Sequence, residues 1–129
     1  MPKHRGGITV RAADAIAAIP AAAWDACAGD DNPFVRHAFL AALEASGCAT
    51  AESGWTPSHL VAEDETGRVV ACAPVYLKSH SYGEYVFDWG WAEAWTKAGR
   101  RYYPKLQCAV PFTPVTGPRL LVHSCACFR

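Results

Sequence analysis

The sequence predicts a mixed α/β domain of the α+β kind. Two strand-like runs, His59 to Glu63 and Arg68 to Tyr76, flank Asp64-Glu-Thr-Gly67, a hairpin signal in which Gly67 is available for the left-handed position. Two helical stretches precede the hairpin. Ala21 to Ala28 is rich in helix formers and meets a stop at Gly29, and Asn32-Pro33 starts a second helix that ends at Gly47. Strand and helix patterns then alternate again, so the order is strand, two helices, hairpin strands, third strand, helix, strand. The 129 residues suit one domain. No internal repeat or low-complexity linker divides them.

Taken in order, Ile8-Thr-Val-Arg11 alternates and makes a short opening strand. Trp24 and Cys27 share one face of the first helix. Behind Asn32-Pro33, Val35, Phe39, Ala42 and Leu43 form one apolar stripe, and His37 flanks it, as an exposed or hydrogen-bonded histidine does. Residues 49–57 form a loop anchored by Trp55. In the second hairpin strand, Val69, Ala71, Ala73 and Val75 face one way and Val70, Cys72 and Tyr76 the other, the pattern of a central strand. Pro74 has no N–H for a ladder, which predicts a bulge or a gap in pairing. Glu84 to Trp89 reads as a third strand after Gly83. From Gly90 to Gly99 a helix carries Trp91, Ala94, Trp95 and Ala98 on one face, with Lys97, Arg100 and Arg101 at the negative end of its dipole. Tyr102 to Val110 is a further strand, and Pro111 to Pro118 is a stiff loop with prolines at 111, 114 and 118.

Twelve basic residues balance twelve acidic ones, without the basic excess of a broad nucleic-acid or anionic-membrane footprint, so no DNA partner is expected. No segment approaches the roughly 18 apolar residues that a membrane span needs. Met1-Pro-Lys-His-Arg5 has the charge of an export signal, yet Arg11 and Asp14 interrupt the stretch behind it, and the chain reads as cytoplasmic. The six cysteines, at 27, 48, 72, 108, 125 and 127, make no Cys-x-x-Cys pair and no zinc-finger spacing with histidine, so no metal site is expected. Cys27, Cys72 and Cys108 fall in apolar runs as small buried hydrophobes, and reduced thiols fit the cytoplasm.

Chemistry concentrates in Tyr76 to Asp88, where Lys78, His80, Glu84 and Asp88 stand among Tyr76, Tyr82, Tyr85 and Phe87. Apolar walls make such charges perturbable, as a binding or proton-moving site requires. The same spacing also suits a strand, a glycine turn and a strand whose aromatics fill a core. On a straight strand Glu84 and Asp88 would lie about 13 Å apart, too far to act on one atom unless the backbone bends. In the proline-rich loop, Thr113, Thr116 and Arg119 would be presented in fixed geometry suited to a phosphate or carboxylate, although a plain stiff connector fits as well.

The phrases Asn32-Pro-Phe, Tyr76-Leu-Lys-Ser-His-Ser-Tyr-Gly-Glu-Tyr-Val-Phe-Asp-Trp89, Tyr102-Tyr-Pro-Lys-Leu106 and Val110-Pro-Phe-Thr-Pro-Val-Thr-Gly-Pro-Arg-Leu-Leu121 resemble the FemAB-like proteins, labelled peptidoglycan biosynthesis or recognition proteins within the GNAT acyltransferase superfamily. The resemblance covers nearly all of residues 8–121. It implies a GNAT-like, mainly antiparallel sheet flanked by helices, and transfer of an acyl or aminoacyl group to an amine. The implied donor is acyl-CoA or an aminoacyl-tRNA; the implied acceptor is a small molecule or a peptidoglycan precursor. Within that frame Lys78, Glu84, Asp88, Tyr82, Thr113, Thr116 and Arg119 would bind substrate. His80 would serve as base and Tyr103 (or Tyr82) would protonate the leaving group.

Two departures qualify the resemblance. The superfamily's pyrophosphate loop, Gln/Arg-x-x-Gly-x-Gly/Ala, is replaced by Asp88-Trp-Gly-Trp-Ala92, so no residue is assigned to CoA. Family members are also longer, with two GNAT-like halves. Residues 1–121 then read as a partial N-terminal domain needing the missing C-terminal half. Val122 to Arg129 reads as a frameshifted or early-ended tail in which the Cys125-Ala-Cys127 spacing is accidental and not a ligand set.

Overall fold

The computed structural model describes residues 6–124. Met1 to Arg5 and the Cys125–Cys127 pair lie outside the described residues. Ten elements follow the chain: β1 (Thr9–Ala13), α1 (Ala21–Ala28), α2 (His37–Ala45), β2 (Trp55–Pro57), β3 (His59–Glu63), β4 (Val69–Ala73), β5 (Val75–Lys78), α3 (Trp89–Lys97), β6 (Lys105–Cys108) and β7 (Leu121–Val122). The fold is mixed α+β, as expected. Its strands divide between two sheets, a four-stranded one in the order β1-β3-β4-β7 and a three-stranded one in the order β2-β5-β6. Every pairing among the described residues is antiparallel.

Pro74 is the join between the sheets. Ala73 pairs with Leu60 in the first sheet, whereas Val75 pairs with Cys108 in the second. A proline has no N–H to continue a ladder, so the strand changes partners at that residue. The expected gap is therefore a change of sheet. β4 lies between β3 and β7, the central position that its two apolar faces predict.

The main core lies between the four-stranded sheet and α1. Ile16, Ile19, Trp24, Val35, Leu40 and Val61 are almost fully buried there. Trp24 Nε1–H donates to the carbonyl of Val35 at 2.8 Å, which satisfies the indole inside the core. Cys27 and Cys72 are buried side by side, and burial pushes both thiols up, as inert structural cysteines require. Cys108, expected to be buried, is exposed on β6.

A second tie runs through Glu44 of α2. Its Oε1 accepts the Ile16 N–H at 2.9 Å, and its Oε2 lies 2.9 Å from Nε2 of His59, a fully buried residue. Because His59 Nδ1 accepts the Val75 N–H at 3.3 Å, Nε2 carries the hydrogen that reaches Glu44. One carboxylate thus links the first connector, α2, β3 and the start of β5. His37 Nε2 bonds the carbonyls of Ile16 and Ile19, at 2.8 and 2.9 Å, the hydrogen-bonded role its flanking position predicts.

Three further expectations need correction. The helix after Asn32-Pro33 is split: Asn32 caps a 3-10 turn over Pro33–Val35, and α2 begins only at His37. Arg36 is extended between them, its guanidinium drawn to Gly29 and Asp25. The strand expected over Glu84–Trp89 does not form, because Glu84 and Asp88 both turn toward Lys105. Finally, α3 forms but buries none of its residues, and Trp91 and Trp95 remain 76% and 44% exposed.

Replacing Glu44 by alanine would strand a buried histidine and a backbone N–H together, and should cost about 2–4 kcal/mol. Glu44→Gln, which keeps an acceptor, should cost less. Urea unfolding of both variants checks this; a Glu44→Ala midpoint equal to wild type would refute the role.

Candidate functional site

The site is built on the three-stranded sheet. Trp55, Lys78 and Lys105 lie in one cross-strand row, since Trp55 pairs with Lys78 and Lys78 pairs with Lys105. Two lysines directly opposite each other repel, and the chain answers by folding two carboxylates over them. Glu84 Oε1 lies 2.7 Å from Lys105 Nζ and Glu84 Oε2 lies 3.5 Å from Lys78 Nζ. Asp88 Oδ2 forms a short contact with Lys105 Nζ and accepts the Tyr102 hydroxyl at 2.6 Å. Ser81 Oγ accepts from Lys105 at 3.1 Å and bonds Tyr103 OH at 2.6 Å. Four charges therefore cancel in a partly buried network.

Each charge responds to its surroundings. Lys78 is fully buried, with Nζ donating to Tyr82 O at 2.7 Å and standing 3.6 Å over the Trp55 ring; burial lowers its pKa, and Glu84 offsets part of that. Burial works against the Lys105 ammonium, but Asp88 and Glu84 outweigh it and hold the group above its ordinary value. For Asp88, burial pushes upward, yet the hydrogen bonds from Lys105 and Tyr102 prevail and hold it at about 2. That bond to Asp88 also raises the Tyr102 phenol.

Beside the network lies a cleft of about 460 Å³, walled by residues 83–86 and the proline-rich loop. Trp55, Glu84, Thr113, Thr116 and Arg119 line it. Of the residues expected from sequence, the cleft thus brings together Glu84, Thr113, Thr116 and Arg119. Lys78 and Asp88 stand behind it in the ion network. Thr113 Oγ1 donates to Pro111 O at 2.9 Å, and Arg119 bonds the carbonyls of Val115, Gly117 and Pro118, so both also brace their own loop. His80, Tyr82 and Tyr103 do not line the cleft. His80 Nδ1 accepts the Tyr82 N–H at 3.1 Å, and its Nε2 faces Gly54, where a Cβ would lie only 2.2 Å away. Tyr82 is 67% exposed, with its ring between His80 and Trp89.

Sequence reasoning missed Lys105, Ser81 and Tyr102. The usable signal was register: once Tyr76–Lys78 and Lys105–Gln107 pair, the lysines must face each other and need carboxylates. Expecting Glu84 and Asp88 to stand about 13 Å apart on a strand was also incorrect, because the backbone there is irregular and both carboxylates reach one ammonium. Among the described residues, no group of histidine, cysteine and carboxylate side chains could hold a metal ion, and no helix is long and apolar enough to cross a membrane.

The Asp88 shift has a defined consequence for acid stability. Its folded value, about 2, lies below the ordinary 3.9, so the folded state binds fewer protons. The contribution, on the order of 2 kcal/mol, is complete above pH of about 4 and is lost as pH falls through about 2. Asp88→Asn should be less stable than wild type at pH 7 and flatter in thermal melts between pH 5 and 2. Parallel curves would contradict the assignment.

A family model for FemAB-like proteins, described as peptidoglycan biosynthesis/recognition, matches residues 15–127. No curated protein and no solved structure matches the chain. The family match includes every element after β1 and all residues that line the cleft. This chain belongs to the FemAB-like family of peptidoglycan biosynthesis and recognition proteins.

Proposed function

We propose that the cleft holds the amine acceptor of an acyl or aminoacyl transfer in peptidoglycan metabolism. The observation that carries this reading is a carboxylate, Glu84, lining a cleft of about 460 Å³ with one oxygen anchored to Lys105 and the other without a hydrogen-bond partner. An acceptor amine supplies N–H donors to such an oxygen. Arg119 and Thr116 on the facing loop suit a carboxylate elsewhere on the same molecule.

Transfer forms a C–N bond at the amine and breaks the donor's thioester or ester bond. The amine must lose a proton to attack, and the leaving group must gain one. Glu84 is the group in the cleft that can receive the amine's hydrogen bond and orient its lone pair. In this reading His80 and Tyr103 stand outside the reacting set. The donor class, acyl-CoA or aminoacyl-tRNA, rests on the GNAT and FemAB resemblance, and no residue is assigned to it. The setting we favour is the cytoplasm, where the free thiols Cys27, Cys48, Cys72 and Cys108 stay reduced. The missing half inferred from the resemblance would then supply the donor site.

A second reading, acceptor binding without chemistry, is favoured by one observation: among the described residues no histidine lines the cleft, and Tyr103 is bonded to Ser81 outside it.

A stem peptide with a free side-chain amine should bind the purified protein, and the same peptide with that amine acetylated should not. Arg119→Ala should weaken binding about 10-fold or more. Calorimetry measures both, and equal binding of the blocked peptide would sink the acceptor assignment. Mass spectrometry after incubation with acetyl-CoA or aminoacyl-tRNA then separates the two readings: binding without product under either donor supports the second.

A further inference from the structure

Two buried polar atoms on the cleft walls have no hydrogen-bond partner among the described residues, and they are of opposite kind. Trp55 Nε1–H can only donate, and Glu84 Oε2, in a carboxylate, can only accept. Trp55 is 1% exposed and the Glu84 side chain 3%. A fold ordinarily avoids leaving such groups unpaired, so two in one cleft point to a ligand that satisfies both. Lys78 does not remove the need. Its ammonium lies 3.5 Å from Oε2 without hydrogen-bond geometry, and donates instead to Tyr82 O.

The two atoms belong to adjoining walls. A Cβ placed on Gly83, the residue before Glu84, would lie 3.0 Å from Trp55 Nε1 and 2.4 Å from Phe112 Cε1. Phe112, its ring centroid 5.4 Å from that of Trp55, therefore stands beside the indole N–H, as Gly83 does. Phe112 is 44% exposed and sits at φ 55°, the left-handed region that disfavours a bulky residue. Behind the indole, the Lys78 ammonium over the ring face draws electron density and strengthens the N–H as a donor. Arg119 adds positive charge on the same cleft.

Building on the acceptor-site reading, we infer that the cleft takes a zwitterionic α-amino-acid head, free or at the end of a longer molecule. Its ammonium donates to Glu84 Oε2, and its carboxylate accepts from Trp55 Nε1–H beside Arg119.

The test follows the Trp55 indole N–H resonance of nitrogen-labelled protein, assigned with Trp55→Phe. Alanine and Nε-acetyl-lysine carry the head alone and on a longer body. One or both should move the resonance and bind about 10-fold or more tightly than ethylamine or propionate, which each carry one of the charges. Response to alanine alone assigns the head to a free amino acid; response to Nε-acetyl-lysine alone assigns it to the end of a longer molecule. In Glu84→Gln the advantage of alanine over propionate should vanish. Arg119→Gln, checked for fold by circular dichroism, should weaken the amino acids and propionate but leave ethylamine unchanged. Propionate binding as well as alanine in the wild type, or a resonance that no probe moves at millimolar concentration, overturns the inference. A stem peptide that binds through its free amine despite that result leaves the acceptor-site reading standing.

Discussion

The arrangement of the site depends on a like-charge constraint: β5 and β6 pair in a register that sets Lys78 directly against Lys105. Neither ammonium can stay in a partly buried row without counter-charge. Glu84 and Asp88 supply it, and doing so fixes the path of the whole segment between β5 and α3. The irregular backbone over residues 83–88 is thus held by electrostatics rather than by a ladder. Its outer edge becomes one wall of the cleft, so the position of the wall is tied to the neutrality of the network behind it.

Family membership and geometry meet at this wall. The family description concerns peptidoglycan biosynthesis and recognition, and the cleft offers both a carboxylate and a cation to whatever enters. The opposite wall is stiff, with prolines at 111, 114 and 118 and with Arg119 bonded back to three carbonyls of its own loop. Rigid walls lower the ordering cost of binding. Phe112 is the exception, an exposed aromatic in a strained conformation among braced neighbours.

Much of the fold was legible because its signals are local. Gly29 and Gly67 stand at positive φ where the pattern needs a helix stop and a hairpin turn, and Pro74 interrupts pairing where its missing N–H demands it. The site was legible only in part. Glu84, Thr113, Thr116 and Arg119 could be named from residue type and loop stiffness, and they share the cleft. Lys105 was hidden because its role follows from strand register, a long-range property that no short window contains. The reading of Glu84 to Trp89 as a strand failed for the same reason: alternation looked right, while the distant lysine decided where the carboxylates point. The aromatic face of α3 shows the converse limit. Periodicity identified the helix, but its amphipathic pattern did not foretell that Trp91 and Trp95 would stay in solvent.

Pro74 has a mechanical consequence. The strand that crosses it belongs to the four-stranded core sheet on one side and to the three-stranded sheet behind the cleft on the other, so one pyrrolidine ring sets the angle between them. β5 acts as a lever arm of four residues, about 13 Å long, and a tilt of roughly 10° at its root would carry its far end by about 2 Å. Lys78 stands at that far end, and the counter-charges over it move with it. Alignment errors of about 1 Å are already large for a site that must orient a reacting group. The accuracy of the cleft is therefore governed from a residue that does not line it, at the seam between two sheets.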